Sequence, residues 1–157
     1  MDKKFIGIVI GKVSYKEKDN LVSIFSPECG LVLGRLKGVK GAGSKIKILA
    51  SPFCFAEFTA VETNGHTTIT GGEVIDTFFE ITKDLGRYYV SSCMLDFVRH
   101  LLKFGQDDYS LLFSKLIDGL KNVCYICENE KIALIKFLLD VLTLSGFSLD
   151  FKVCSQC

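Results

Sequence analysis

A pair of cysteines at the end of this 157-residue chain, Cys154 and Cys157, has the spacing of metal ligands. A Cys-x-x-Cys pair supplies half of a tetrahedral four-thiolate zinc site, and a second pair roughly 15–20 residues further on normally completes it. Because no residue follows Cys157, we expect that the chain stops within a zinc motif. The intact protein would then hold zinc, and this shortened chain would hold none.

A second group consists of five cations in a glycine-rich segment. They are Arg35, Lys37, Lys40, Lys45 and Lys47. Glycines leave the backbone accessible, and each cation that meets a phosphate releases counterions, so the segment is suited to a polyanion. It lacks a Walker A motif. Bases could stack on Phe25, Phe53 or Phe55 if these face outward, although we expect most phenylalanines in the core. The alternative is an ordinary solvated loop.

The charge distribution along the chain favours binding of a polyanion over an ordinary solvated loop. Residues 1–50 carry ten Lys or Arg against four Asp or Glu, a net charge of +6, whereas residues 51–157 carry a net charge of −5. A basic module followed by an acidic one indicates that the first part meets a polyanion. Seven cysteines without a secretion signal indicate a reducing cytoplasm. No apolar run reaches the roughly 18 residues of a membrane span.

The remaining reactive residues do not form a catalytic arrangement. His66 and His100 have no neighbouring nucleophile or carboxylate in a recognisable pattern. Cys124 and Cys127 also have ligand spacing, but they continue the apolar stripe of a helix, where cysteine behaves as a small hydrophobic residue. We therefore predict a protein that is not an enzyme, with Cys124 and Cys127 structural. The alternative is a thiol redox or metal-handling protein that uses both cysteine pairs.

The elements that position these residues change in type along the chain. Period-2 patterns predict five strands, at residues 5–13, 21–25, 31–36, 53–61 and 67–74, with a hairpin turn at Asn64-Gly65. They predict a five-stranded antiparallel β-barrel of the OB-fold type. Period-3.6 patterns then predict three helices, at residues 82–104, 109–127 and 130–144, with Gly146 ending the last. The expected fold class is segregated α+β, with a barrel domain at 1–78 and an α-helical bundle at 79–157.

These features together resemble the RecO family of bacterial recombination mediators. The resemblance lies in the basic loop from Lys37 to Ser44, in the segment from Lys18 to Val32, and in Gly146-Phe147 followed by the Cys154 pair. It covers the whole chain. One departure is that Ser148-Leu149-Asp150 replaces the proline usual after the Gly-aromatic pair.

The resemblance implies a non-enzymatic, cytoplasmic and nucleoid-associated role in DNA repair and recombination. It implies binding and annealing of single- and double-stranded DNA through Arg35, Lys37, Lys40, Lys45 and Lys47. It further implies RecA loading together with RecR, and contact with the acidic C-terminal tail of the single-strand-binding protein. For that tail, Arg87, Arg99 and Lys103 are the nearest candidates for a cationic rim. An OB-fold RNA-binding or translation accessory module stays open as an alternative, because such barrels bind many polymers.

Overall fold

Five strands form the N-terminal part of the chain in the computed structural model, which describes residues 2–15, 17–39, 46–105 and 108–147. The strands are β1 (Asp2–Tyr15), β2 (Asp19–Ser26), β3 (Gly30–Leu36), β4 (Phe55–Thr63) and β5 (His66–Asp76). All five predicted strands are confirmed, with small differences at their ends. The β4–β5 turn is also confirmed. Its residues Asn64 and Gly65 have φ values of 52° and 73°, the left-handed backbone that a two-residue hairpin turn requires.

The strands close into a barrel in the order β1-β2-β3-β5-β4. Four neighbouring pairs are antiparallel, as predicted, but β3 and β5 are parallel. The reason is directional. Strands β2 and β4 both run opposite to β1, so their next partners, β3 and β5, run the same way. The chain between β3 and β4 includes α1 (Ile46–Leu49), a single helical turn that the sequence did not predict.

A β-bulge in β1 decides which face each of its residues occupies. The pairing of β1 with β2 shifts between Val9 and Gly11. Before the shift, Val9 lies inside the barrel and Ile8 lies outside it, against the helices. After the shift, Lys12 pairs with Val22 of the barrel interior. A bulge adds one residue to one strand, so the alternation of inward and outward side chains is reversed beyond it.

The C-terminal part is helical. It contains α2 (Phe79–Lys83), α3 (Leu85–Leu101), α4 (Ser110–Lys121) and α5 (Glu130–Leu144), with a 3₁₀ turn at Leu102–Phe104 after α3. The three long helices are confirmed, but the second does not continue regularly to residue 127. It becomes a π-helical turn at Asn122–Ile126, where the Cys127 N–H donates to the Asn122 carbonyl at 2.8 Å. No helix in these described parts is both long and apolar enough to cross a membrane.

Side-chain and backbone bonds explain the helix ends. The Asp84 carboxylate accepts from the Arg87 N–H at the start of α3, and the Asn129 side chain accepts from two N–H groups at the start of α5. These are N-cap bonds, which satisfy amides without intrahelical partners. Gly146 follows α5 with a φ of 85°. Its N–H and that of Phe147 return to carbonyls of the last turn, as in a Schellman motif, which confirms Gly146 as the ending residue.

Two apolar clusters hold the molecule together. One fills the barrel interior and includes Phe58 and Leu36. The other lies between the outer face of the barrel and the helices, where Phe25 of β2 joins Met94 of α3 and Leu116 of α4. The aromatic rings of Phe25 and Phe113 meet edge to face, with 5.4 Å between their centroids. The strands and helices are therefore packed on each other through one continuous buried cluster.

Candidate nucleic-acid interface

Three of the five cations predicted to contact a polyanion lie in the described residues, and two of them, Arg35 and Lys47, line different surfaces. Arg35 is near the end of β3, Lys37 follows that strand, and Lys47 is in α1. Lys40 and Lys45 lie outside the described residues. Arg35 lines a groove on the outer face of the barrel, whereas Lys47 lines a separate cleft at the barrel end. Arg35 and Lys47, which the sequence placed in one basic segment, therefore lie on two different surfaces.

Arg35 is held in place by a carboxylate. Asp19, only 8% exposed, accepts from the Arg35 Nε at 2.9 Å and also from its Nη2. The other oxygen of Asp19 accepts from the Gly38 N–H at 3.0 Å. Gly38 has a φ of 69°, a backbone conformation that favours glycine. The Asp19 carboxylate therefore joins the start of β2 to the end of β3 and to the first turn of the basic loop.

The outer groove lies between the β1–β2 and β4–β5 hairpins and has a volume of about 690 Å³. We define it by six of its lining residues, which are Val13, Tyr15, Leu21, Leu33, Arg35 and His66. Val13 and Leu33 are 67% and 65% exposed, so the floor of the groove is apolar and open to solvent. The Arg35 guanidinium lies 5.4 Å from the centroid of the Tyr15 ring, within the range of a cation–π contact.

A second cleft, of about 500 Å³, lies at the barrel end beside α1. We call it the lysine cleft, and its lining residues include Lys12, Ser14, Asn20, Lys47 and Ser51. Both lysines are exposed, as is Lys37 nearby in the chain. Among the described residues, no ion pair involves any of these three lysines. Their charges are therefore not neutralised by a neighbouring carboxylate in this part of the molecule.

Lys12 is a candidate that sequence reasoning missed. It lies in the last third of β1, far along the chain from the glycine-rich loop. Simple alternation from the buried Val9 would place it outside the barrel with Ile8, away from α1. The bulge at Ile10 reverses this placement and brings Lys12 to the cleft that contains Lys47. A lysine at the end of an apolar strand was the only sequence signal, and it did not indicate a face.

The phenylalanines considered for base stacking are not available. Phe25 and Phe53 are 0% and 1% exposed, and Phe55 is half-buried against Phe113, with 5.8 Å between ring centroids. All three pack between the barrel and the helices. The expectation that they belong to the core is confirmed. The aromatic side chain present in the outer groove is instead Tyr15.

The three cations considered for a partner tail are not brought together into one rim. The Arg87 guanidinium donates to the Cys124 carbonyl at 3.0 Å. Arg99 donates to the Ile10 carbonyl of β1 and pairs with Asp96 at 3.3 Å, and Lys103 is exposed in the 3₁₀ turn. Arg87 and Arg99 are separated by about 18 Å along α3 at a rise of about 1.5 Å per residue. The hydrogen bond from Arg99 to the Ile10 carbonyl connects α3 to the barrel.

The cysteines of the described region are distributed through the fold. Cys124 is buried in the cluster between barrel and helices, and this burial is the main cause that raises the pKa of its thiol. A raised pKa disfavours the reactive thiolate, which speaks against a redox role. Within the described ranges, no group of three or more His, Cys, Asp or Glu could hold a metal ion. Cys154 and Cys157 lie outside those ranges.

Comparison with known proteins matches the chain in two parts. Residues 1–78 match the model described as "Recombination protein O N terminal", and residues 82–157 match "Recombination protein O C terminal". Curated relatives named "DNA repair protein RecO" include those of Caldicellulosiruptor saccharolyticus, 26% identical over 98% of this chain, and Clostridium novyi, 29% identical over 96%. The protein of Oceanobacillus iheyensis is 29% identical over 100%. The chain spans only 64%, 58% and 60% of these relatives' lengths.

Proposed function

Because the chain belongs to the recombination protein O (RecO) family, we propose that it is a non-enzymatic component of DNA repair whose barrel binds DNA. The observation that carries this proposal is the lysine cleft. Lys12 and Lys47 line one concave surface, and Lys37 is a further exposed lysine directly after β3. Small barrels of the OB-fold type bind oligonucleotides on the face that here holds the outer groove, and the lysine cleft adjoins that face at β2, where Asn20 lines the cleft and Leu21 lines the groove.

The chemistry of the cleft suits a phosphate backbone. An exposed lysine without a carboxylate partner can approach a phosphate and displace a condensed counterion, and this release is the main source of non-specific affinity. Ser14, Asn20 and Ser51 add groups that can hydrogen-bond to phosphate oxygens. None of these contacts depends on the base. The cleft would therefore bind single-stranded and double-stranded DNA without sequence preference.

The finer activities are part of the same proposal and rest on family membership. They are annealing of complementary strands, RecA loading with RecR, binding of the single-strand-binding protein's tail, and work at the nucleoid in the cytoplasm. We also propose that the chain divides into a barrel domain at 1–78 and a helical domain at 79–157. Zinc ligation by Cys154 and Cys157 in a longer form of the protein likewise stays a proposal, for which metal content under native conditions is the measurement.

The test is a double charge reversal in the cleft. Lys12→Glu combined with Lys47→Glu should weaken binding to a fluorescent oligonucleotide and should reduce the slope of log affinity against log salt concentration by about 2. The matched control reverses two exposed lysines of α5, Lys131 and Lys136, and so changes the net charge equally. If both double variants lose affinity equally, the effect is one of net charge and the cleft is not the site.

A further inference from the structure

We infer that the outer groove binds unpaired bases of a single strand, with Tyr15 as the stacking surface, while the lysine cleft holds the backbone. This inference rests on the proposed function and goes beyond it, because it assigns a separate subsite for the bases. It also predicts that the two forms of DNA are bound differently. Single strands would use both surfaces, and duplexes would use the cleft alone.

The groove has the surfaces that bases require. The Arg35 guanidinium lies over one face of the Tyr15 ring, 5.4 Å from its centroid, and Tyr15 is still 37% exposed. Both an aromatic ring and a guanidinium plane are stacking partners for bases. Asp19 fixes the guanidinium through its Nε and Nη2, so this plane is held in position before any ligand arrives. The exposed side chains of Val13 and Leu33 extend the apolar surface along the groove.

The charge of the groove argues against a phosphate as its occupant. Among the residues that line the groove, Arg35 carries a permanent positive charge, and Asp19 already forms an ion pair with it. A phosphate would therefore gain little electrostatic attraction there. Exposed lysines instead follow two groove residues closely in the chain, because Lys18 is in the β1–β2 turn three residues after Tyr15 and Lys37 comes two residues after Arg35. An apolar floor with lysines close to it in the chain fits a strand whose bases point inward and whose phosphates stay outside.

Duplex DNA does not offer such bases. Its bases are paired and stacked inside the helix, and it presents phosphates and groove edges to a protein. Only a strand with unstacked bases can place an aromatic face against Tyr15. The groove should therefore give this barrel a preference for single strands that does not depend on salt, in addition to the salt-dependent affinity of the lysine cleft.

A tryptophan probe tests this directly. The chain contains no tryptophan, so Tyr15→Trp gives the protein a single indole whose fluorescence a stacked base should quench. We expect quenching by oligo(dT), and none by a duplex or by an abasic strand of equal length bound to saturation. The control is Tyr89→Trp. Tyr89 is 68% exposed on α3, outside the groove, and its indole should be quenched by none of the three ligands.

Affinity measurements provide the second test. Tyr15→Leu should weaken oligo(dT) binding by about 5- to 150-fold, the range for loss of one stacked base, and should change duplex and abasic-strand affinity by less than about 2-fold. Tyr15→Phe keeps the ring and should stay within about 2-fold of wild type for all three ligands. Thermal unfolding of each variant reports whether it is folded. If Tyr15→Leu does not fold, the tryptophan probe alone decides.

The possible failures are distinguishable. If the wild-type chain binds none of the three ligands, the proposed function is wrong and this inference falls with it. If it binds all of them but oligo(dT) leaves the indole fluorescence of the Tyr15→Trp variant unchanged, DNA binding stands and the base subsite is refuted. Equal losses on oligo(dT), duplex and abasic strand in Tyr15→Leu would also refute it, since the groove would then support the barrel or take another partner.

Discussion

Replacing Asp19 with alanine should destabilise the barrel end that carries both candidate binding surfaces. The Asp19 carboxylate is almost fully buried, and among the described residues it accepts two hydrogen bonds from Arg35 and one from the Gly38 N–H. Alanine removes all three. The Arg35 guanidinium would then lose its counter-charge, and the Gly38 amide would lose its partner at the point where the chain leaves β3.

The structure allows an estimate of the cost. Breaking a fully buried ion pair costs about 3–5 kcal/mol. The Arg35 side chain is 32% exposed, so water can partly replace the lost carboxylate. Hydrogen bonds to charged groups contribute about 1.5–3 kcal/mol. We therefore expect the free energy of unfolding to fall by about 2–3 kcal/mol. At about 2–4 °C per kcal/mol for a chain of this size, the Tm should fall by roughly 5–10 °C.

Urea denaturation of Asp19→Ala, Arg35→Ala and the double variant measures both the cost and its origin. The double variant should lose clearly less than the sum of the single losses, with a coupling energy above about 1 kcal/mol, because the two residues interact directly. Glu62→Ala, at an exposed position of β4, is the control and should shift the midpoint little. Additive losses, or an unchanged midpoint in Asp19→Ala, would refute the reasoning.

Two further predictions concern the packing of the barrel. Arg99→Ala should lower the free energy of unfolding by about 1.5–3 kcal/mol, because the Ile10 carbonyl loses its donor from α3. The control is His100→Ala, at an exposed site, and equal urea midpoints for the two variants would contradict this prediction. Burial raises the pKa of the Cys54 thiol from 9.0 to about 11. The unfolded chain therefore loses this proton at lower pH than the folded chain does, and the free energy of unfolding should fall as the pH rises between these two values. Between pH 9 and pH 11, the wild-type unfolding free energy should therefore fall more steeply than that of Cys54→Ala, and parallel curves would disprove the assignment.

Local sequence determined the elements and their turns. Asn64-Gly65 predicts the β4–β5 hairpin because few other residue pairs adopt positive φ at two consecutive positions. Gly146 predicts the end of α5 for the same steric reason. The change from period 2 to period 3.6 separates strands from helices, because each element must bury one face. These inferences depend on interactions between residues a few positions apart, and such interactions can be inferred from the residue types and their spacing.

The residues that line the lysine cleft and the outer groove could not be predicted in this way. The bulge at Ile10 places Lys12 with Lys47 and leaves Val13 and Tyr15 on the outer face. A glycine inside a strand can mark a bulge, but β1 contains both Gly7 and Gly11. Only the register of β1 against β2 decides that the shift falls between Val9 and Gly11. The pairing of Asp19 with Arg35 likewise depends on how β2 lies beside β3. Such contacts join distant parts of the chain, and they arise only when the barrel closes. Residue types and their spacing were therefore enough to predict a basic barrel followed by helices, whereas the closed fold sets which cations and which ring share a surface.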